Sequence, residues 1–159
     1  MTNMVGDKKT FLLDVDGVLT TGKFLYSIEG KIYKEFGPHD HDGLKLLKNL
    51  INIKFITCDK IGFEISKKRI TEDMGFDLVQ TSEDLKYEYI TNNFKEKNLI
   101  YMGDGISDVD PAKYATYSIA PNNARSEMLE VVNYITESKS AEGAVLDACQ
   151  HIIKLKLYE

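Results

Sequence analysis

Short apolar runs alternate with longer amphipathic segments along most of the chain. The apolar runs are Phe11–Val15, Ile53–Thr57, Phe76–Gln80, Leu99–Met102 and Tyr117–Ala120. Runs of this length are typical of strands buried on both faces, and the segments between them carry apolar residues at helical spacing. The last such segment runs from about Ala141 to Leu155. The pattern predicts an α/β fold with a doubly wound, mostly parallel sheet and a closing helix.

One section interrupts this alternation. Segments 23–28 and 31–36 have strand character and flank the turn signal Glu29-Gly30, which predicts a β-hairpin over about residues 23–36. The ribbon is rich in aromatic residues, which are Phe24, Tyr26, Tyr33 and Phe36. Because an isolated hairpin is only marginally stable in water, we expect it to pack either on its own domain or on another subunit.

Composition narrows the class of protein. A chain of 159 residues with 43% hydrophobic and 28% charged residues fits one ordinary domain, so we expect a single domain over 1–159. The net charge of −5, without a basic stripe, argues against nucleic acid as a partner. No apolar stretch approaches the roughly 20 residues that span a bilayer, and the N-terminus lacks a signal-peptide core. Two cysteines form neither a disulfide framework nor a CxxC pair. We therefore expect a cytoplasmic protein without a membrane partner.

The most informative segment is Leu13–Thr20 (LDVDGVLT), where the first apolar run ends. Asp14 and Asp16 lie two residues apart, and Gly17 indicates a turn that lets both carboxylates converge. Close carboxylates repel unless a proton or cation lies between them, and Mg²⁺ suits oxygen ligands. An EF-hand is excluded, because Leu19 stands where that loop needs glycine. For the fragment alone, a solvated Asp-Val-Asp-Gly turn is the alternative.

Three further polar clusters follow later runs. Thr57 ends the second run, Lys86 begins a predicted helix after Thr81-Ser82-Glu83-Asp84, and Asp104 and Asp108 follow the fourth run. Singly, these features are explained by a helix cap, a solvated lysine and a turn. Ligands of open α/β sheets, however, bind at the carboxyl ends of the strands. Together the clusters offer a nucleophile, a second acid, a hydroxyl, a cation and metal-binding carboxylates, a set suited to phosphoryl transfer.

On these residues the chain resembles the haloacid dehalogenase-like (HAD) phosphatase superfamily. The four motifs of that family match Asp14-x-Asp16-Gly17-Val18, Thr57, Lys86 and Gly103-Asp104-x-x-x-Asp108. Three further features are similar to the small capless branch that includes 3-deoxy-D-manno-octulosonate 8-phosphate phosphatase. They are DVDGVLTTG followed by a hairpin, the stretch Phe36…Asp40…Gly43, and Glu142-Gly143-Ala144-Val145.

The resemblance implies a Rossmann-like core without a cap domain and a Mg²⁺-dependent phosphomonoesterase acting on a small sugar-acid phosphate. Asp14 would form an aspartyl-phosphate, and Asp16 would serve as acid and base. Asp14, the Asp16 backbone carbonyl and Asp104 would hold Mg²⁺, with Asp108 orienting that metal site. The phosphoryl oxygens would be held by Thr57 and Lys86.

Substrate recognition is where the chain departs from this branch. The candidate substrate-binding residues are Asp16, His39, Asp40, Gly43, Asp59 and Arg69. Members of the branch often carry Arg-Asp-Gly after the hairpin and Gly-Arg after the motif-two threonine, where this chain has His39-Asp40-His41 and Cys58-Asp59. Histidine cannot replace the rigid fork of arginine. The phosphate of another sugar or small metabolite is therefore the alternative substrate.

Two other function classes and one assembly complete the set of hypotheses. A receiver-like signalling module also combines acids, Thr and Lys around Mg²⁺, but its phosphoaccepting Asp comes from a later strand, and no matching acid lies near Thr81. A non-catalytic, phosphate-binding relative is disfavoured by intact Asp14 and Asp16. The aromatic ribbon and the open site of a capless domain favour a homotetramer, with the Tyr26/Tyr33 ribbon at its centre. The resembled branch is commonly tetrameric.

Overall fold

A computed structural model of the chain describes residues 8–159. The described part contains eight strands, which are β1 (Thr10–Asp14), β2 (Thr20–Ser27), β3 (Gly30–Phe36), β4 (Asn52–Thr57), β5 (Asp77–Gln80), β6 (Leu99–Met102), β7 (Tyr117–Ala120) and β8 (Tyr134–Ile135). Six of them form one parallel sheet in the order β5-β4-β1-β6-β7-β8. The order reverses on either side of β1, as the predicted doubly wound sheet requires.

Helices connect these strands on both faces of the sheet. They are α1 (Asp40–Leu47), α2 (Phe63–Lys67), α3 (Lys86–Asn93), α4 (Val109–Tyr114), α5 (Ser126–Leu129) and α6 (Ala144–Lys154). The α2 helix continues as a π-helical segment over Lys68–Asp73, and short 3₁₀ turns cover Glu96–Asn98 and Ile106–Asp108. Among the described residues, no helix is both long and apolar enough to cross a bilayer.

The central strand β1 is buried on both faces because its side chains alternate between two cores. Phe11 and Leu13 pack with α1, α6 and the helix after β4, whereas Leu12 packs with Tyr101 and Ile90 on the opposite face. In the sequence, a strand with apolar residues on both faces therefore appears as a continuous apolar run. This burial leaves the carboxyl end of β1 as the position where polar side chains reach solvent.

The hairpin β2–β3 forms a separate antiparallel ribbon. It turns at Gly30, which has a positive φ of 106°, and its pairing register shifts between Thr20 and Phe24 and again between Leu25 and Tyr26. Such shifts are β-bulges, which bend and twist a ribbon. Apart from this hairpin, the described residues contain no domain inserted into the α/β core.

The predicted elements agree closely with the structure. All five predicted sheet strands are present, and the closing helix is shorter at both ends than the predicted 141–155. The hairpin begins earlier, at Thr20. The six-residue helix α4, the one-turn helix α5 and the two-residue strand β8 were not predicted, because elements this short carry no readable period.

Candidate active site

The carboxyl ends of β1, β4 and β6 open into a cavity of about 730 Å³. Its lining includes all six residues that the sequence motifs single out, which are Asp14, Asp16, Thr57, Lys86, Asp104 and Asp108. They converge because parallel neighbours place their carboxyl ends at one edge of the sheet. Phe24 and Lys31 of the hairpin line the same cavity, together with Asp59 and Arg125.

Three carboxylates form the most acidic part of the cavity. Asp14, Asp104 and Asp108 each offer an oxygen atom within 4.8 Å of the others. Gly17 lies directly against this cluster, since a Cβ atom built on it would lie 2.0 Å from Asp104 Oδ2. Its φ of +82° also disfavours any side chain. Glycine is therefore needed here for the backbone conformation and for the close approach of Asp104.

Asp108 is held by hydrogen bonds on both of its oxygens. The backbone N–H groups of Asp104 and Gly105 donate to Oδ2 at 2.9 and 3.0 Å. Lys86 Nζ and the hydroxyl of Tyr101 donate to Oδ1. With its acceptor positions occupied by protein groups, Asp108 orients its neighbours rather than offering a free ligand atom.

Lys86 balances the charge of the acidic cluster. Its side chain is 1% exposed and its Nζ lies 3.3 Å from Asp14 Oδ1. Burial by itself lowers the pKa of Lys86, but attraction to Asp14, Tyr101 and Asp108 outweighs burial and raises the pKa well above its usual value. Lys86 therefore remains a cation at the bottom of the cavity.

The remaining charge in the cluster suits a divalent cation. Burial raises the pKa of Asp14 well above 3.8, and it raises the pKa of Asp104 to about 6. One buried lysine faces three acids, so it cannot by itself neutralise all three carboxylates when they are ionised. Closely spaced carboxylate oxygens at the end of a strand are the donors that Mg²⁺ prefers. The residues present therefore fit a Mg²⁺ site built from Asp14 and Asp104, with Asp108 behind them.

Asp16 lies beside this cluster with its carboxylate held at both oxygens. Thr20 Oγ1 donates to Oδ1 at 3.2 Å, and Lys34 Nζ donates to Oδ2 at 2.9 Å. The side chain is still 33% exposed toward the cavity. Asp16 is therefore oriented by protein groups but accessible to a bound molecule.

Thr57 and the two residues after it form the opposite wall. Thr57 is buried, and its hydroxyl accepts a hydrogen bond from the backbone N–H of Asp59 at 3.1 Å. Partial burial alone would raise the pKa of Asp59, but hydrogen bonds from Lys31, Gly62 N–H and Lys34 hold it well below 3.8. Burial raises the pKa of Cys58 to about 11, so its thiol stays protonated at neutral pH and is a poor nucleophile.

Four predicted substrate-binding residues do not line the cavity. They are His39, Asp40, Gly43 and Arg69. His39 is the exposed N-cap residue of α1, and Gly43 packs against α6, where an added Cβ would lie 2.6 Å from Leu146 Cα. Arg69 lies in the π-helical segment, partly exposed. Within one chain, these residues stabilise or border the helical layer rather than the cavity.

Asp40 shows the largest departure from expectation. Its side chain is 1% exposed, and Oδ1 accepts hydrogen bonds from the backbone N–H groups of Val145 and Leu146 at 3.0 and 3.4 Å. It thus caps the N-terminus of α6 from a position 105 residues earlier in the chain. A carboxylate enclosed in this way cannot contact a substrate, so its role is structural.

Other residues of the site were not expected from the sequence. Lys31 and Lys34 reach the cavity wall from the hairpin, Ser66 accepts a hydrogen bond from Lys34, and Tyr101 donates to Asp108 from a buried strand. The available signals were weak: two lysines in an aromatic ribbon and a tyrosine within a fully buried apolar run.

Comparisons with known proteins agree with this geometry. The family model for haloacid dehalogenase-like hydrolases matches residues 79–148. The chain is 25% identical to 3-deoxy-D-manno-octulosonate 8-phosphate phosphatase of Yersinia pestis, over 91% of this chain and 79% of that protein. It is also 25% identical to N-acylneuraminate cytidylyltransferase of Oncorhynchus mykiss, over 93% of this chain. The chain spans only 36% of the length of that cytidylyltransferase.

Solved structures show the same similarity in three dimensions. One is 3-deoxy-D-manno-octulosonate 8-phosphate phosphatase of Moraxella catarrhalis, in complex with a magnesium ion, a phosphate ion and a KDO molecule. It has a TM-score of 0.81 and 28% identity, covering 92% of this chain and 86% of that one. A HAD superfamily hydrolase (subfamily III A) structure from Legionella pneumophila has a TM-score of 0.80 and 26% identity, covering 94% and 84%. The chain therefore resembles the haloacid dehalogenase-like hydrolases and, among them, the 3-deoxy-D-manno-octulosonate 8-phosphate phosphatases.

Proposed function

We propose that the chain is a Mg²⁺-dependent phosphomonoesterase that hydrolyses a small sugar-acid phosphate through an aspartyl-phosphate at Asp14. The observation that carries the proposal is the meeting of Asp14, Asp16, Thr57 and Lys86 with the acidic cluster in one open cavity. Each of these side chains has a use in phosphoryl transfer, where positioning and charge neutralisation do most of the catalysis.

In the first step, an oxygen of Asp14 attacks phosphorus as the bond between phosphorus and the leaving oxygen breaks. Asp16 gives its proton to that oxygen, so the sugar leaves as an alcohol. Lys86 Nζ, 3.3 Å from Asp14 Oδ1, offsets the negative charge around the transferred group, and the Thr57 hydroxyl offers it a hydrogen bond. Asp14, Asp104 and the Asp16 backbone carbonyl would hold Mg²⁺, which would supply positive charge to offset that of the phosphoryl oxygens.

In the second step, Asp16, now a carboxylate, takes a proton from a water molecule. The oxygen of that water attacks phosphorus, and the bond to Asp14 breaks. The products are inorganic phosphate, Asp14 as a carboxylate and Asp16 again protonated. Asp16 serves both steps from one position, which its partial exposure to the cavity permits.

The lining of the cavity supports a small, polar and anionic substrate. Lys31 and Arg125 supply cations at the rim, and Phe24 supplies an aromatic face. These groups suit a molecule with a carboxylate and several hydroxyls, as expected for octulosonate- or nonulosonate-type phosphates. The relatives named for a phosphatase of such a compound support this class of substrate.

Phosphate release from a panel of sugar phosphates and of eight- and nine-carbon keto-acid phosphates tests the proposal, with Asp14→Asn as the matched variant. We expect turnover by the native chain and at least about a thousandfold loss in Asp14→Asn, since the amide is a poor nucleophile. The covalent mechanism is wrong if Asp14→Asn keeps activity within about tenfold, a barrier change of only about 1.4 kcal/mol.

Assembly forms part of the proposal. In the single chain, Tyr26, Tyr33 and Ile28 of the hairpin are 72%, 63% and 104% exposed. Apolar surface of this extent on a ribbon favours a protein interface, so we propose a homotetramer centred on the hairpins. Light scattering should give four times the 18.1 kDa chain mass. An active monomer at micromolar concentration, or a tetramer unchanged by Phe24→Asp with Tyr33→Asp, would contradict this assembly.

We also propose a cytoplasmic location. Cys58 and Cys149 are both free in the structure, as is usual where thiols stay reduced. Recovery of the activity in the cytoplasmic fraction of fractionated cells tests the location.

A further inference from the structure

Lys34 of the hairpin enters the wall of the cavity and is almost fully enclosed there. Its side chain is 1% exposed, although most of its neighbours in the two-stranded ribbon are partly or fully exposed. Its Nζ lies 2.9 Å from Asp16 Oδ2, 2.9 Å from Asp59 Oδ2 and 2.8 Å from Ser66 Oγ. A lysine buried so completely on a marginal element is explained by the groups that it contacts.

The donors of Lys34 are fully used by these contacts. A lysine ammonium has three N–H donors and no acceptor, and the three oxygens within 2.9 Å provide one partner for each donor. No donor remains for a substrate molecule. Lys34 therefore differs from Lys86 and Lys31, which line the cavity.

The contact with Asp16 completes the restraint on that carboxyl group. Thr20 holds Oδ1, and the Thr20 hydroxyl is itself fixed by the N–H groups of Gly17 and Gly22, at 3.3 and 3.1 Å. Lys34 supplies the only hydrogen bond to Oδ2 found among the described residues. Without Lys34, the hydrogen bond from Thr20 would be the only side-chain contact found among the described residues that restrains rotation of the Asp16 carboxyl group about its Cβ–Cγ bond.

We propose that Lys34 is a positioning residue, which fixes the Asp16 carboxyl in the orientation that delivers a proton to the leaving oxygen. This inference rests on the proposed phosphatase function. It makes the hairpin part of the catalytic machinery of its own subunit, because the docking of β3 on the core places the ammonium. Lys31 provides a second tie between hairpin and core, through Asp59 at 2.6 Å, but it does not contact Asp16.

The test compares kcat/KM for phenyl phosphate and p-nitrophenyl phosphate, which have similar shapes but different leaving groups. For each substrate, kcat/KM reports the steps up to departure of the leaving group, so hydrolysis of the aspartyl-phosphate does not affect kcat/KM. In Lys34→Met, we expect a loss of about 100-fold for phenyl phosphate, the effect of misplacing a reacting group by about 1 Å. For p-nitrophenyl phosphate we expect a loss of no more than about threefold, because that group leaves without a proton.

Lys31→Met is the matched control, since it perturbs the same hairpin and the same Asp59 without touching Asp16. It should leave the ratio between the two substrates at the native value, whatever its effect on KM. A second variant, Gly62→Ala, tests the position of Lys34 without changing charge, because its Cβ would crowd both Asp59 Oδ2 and Lys34 Cε, the latter at 2.6 Å. It should shift the substrate ratio in the same direction as Lys34→Met, by a smaller factor.

A double variant separates positioning from general loss of structure. If Lys34 acts through Asp16, adding Lys34→Met to Asp16→Asn should lower kcat/KM no further. Equal losses for both substrates, or additive losses in the double variant, would overturn the inference while the native activity stands. Absence of phosphate release by the native chain would instead count against the proposed function itself.

Discussion

Asp40→Asn should make the protein more stable at neutral pH, although it changes a buried side chain that caps a helix. Asp40 Oδ1 accepts the N–H groups of Val145 and Leu146, while Oδ2 is buried without a hydrogen-bond partner among the described residues. Burial raises the pKa of Asp40 from 3.8 to about 6, against the opposing effect of those two N–H groups. Ionisation of Asp40 therefore costs more free energy in the folded protein than in the unfolded chain.

The size and direction of the effect follow from that pKa. The folded protein holds the Asp40 proton more tightly than the unfolded chain does, so the stability from this group is complete below pH 3.8. It is lost as the pH rises through about 6. The difference between these values corresponds to about 3 kcal/mol, an upper estimate. Asparagine keeps an acceptor for the helix N-terminus but cannot ionise, so it avoids this loss.

Urea unfolding of both proteins at fixed concentration, between about pH 4 and pH 8, measures the difference. The native protein should lose up to about 3 kcal/mol relative to Asp40→Asn across this range. Asp42→Asn is the control, because Asp42 lies in the same helix, is exposed and pairs with Lys45 at 3.0 Å. Its difference from the native protein should stay constant above about pH 5. A constant difference for Asp40→Asn, or one that favours the native protein as pH rises, would refute the reasoning.

Three further predictions concern the acidic cluster. Chelation should abolish activity, and Mg²⁺ should restore it better than Ca²⁺. Full activity in excess chelator would contradict the metal site. The affinity for Mg²⁺, measured by calorimetry, should fall below about pH 6, where Asp104 takes up a proton. Gly17→Ala should weaken Mg²⁺ binding at least tenfold, because the added Cβ would lie 2.0 Å from Asp104 Oδ2. Gly30→Ala is the control, since Gly30 also has a positive φ but no atom lies within 4 Å of an added Cβ. It should change only stability, by about 1–2 kcal/mol. Lys86→Met should destabilise the protein by about 3–5 kcal/mol in thermal unfolding without metal, because it leaves buried acids unpaired. Added Mg²⁺ should reduce that loss. A change below about 1 kcal/mol would show that the acids are neutralised in another way.

The core of the candidate site was predictable because it depends on the strands. Asp14, Thr57 and Asp104 each follow an apolar run, and neighbouring parallel strands bring their carboxyl ends together whatever the details of packing. Lys86 was identified from its place at the start of a helix that faces the same edge. Each of these positions can therefore be predicted from the residues next to it in the sequence.

The outer part of the site was not predictable in this way. Asp40 was expected near a substrate because it follows the hairpin, but the packing of α1 against α6 encloses it at a helix N-terminus far along the chain. Lys31 and Lys34 have no local signature, since their partners Asp59, Ser66 and Asp16 come from other elements. Such contacts depend on how one element docks on another.

The parallel α/β sheet, the projecting hairpin and the convergence of the motif residues can all be predicted from the order of residues along the chain. The physical reason is that short apolar runs predict strands that are buried on both faces of a parallel sheet. The polar residues at the ends of these runs then lie at one edge of the sheet. Which charged side chains are enclosed depends instead on how the elements pack against one another. Burial and pairing across elements keep Lys34 hydrogen-bonded to Asp16, raise the pKa values of Asp104 and Asp40, and make Asp40 a helix cap rather than a substrate contact.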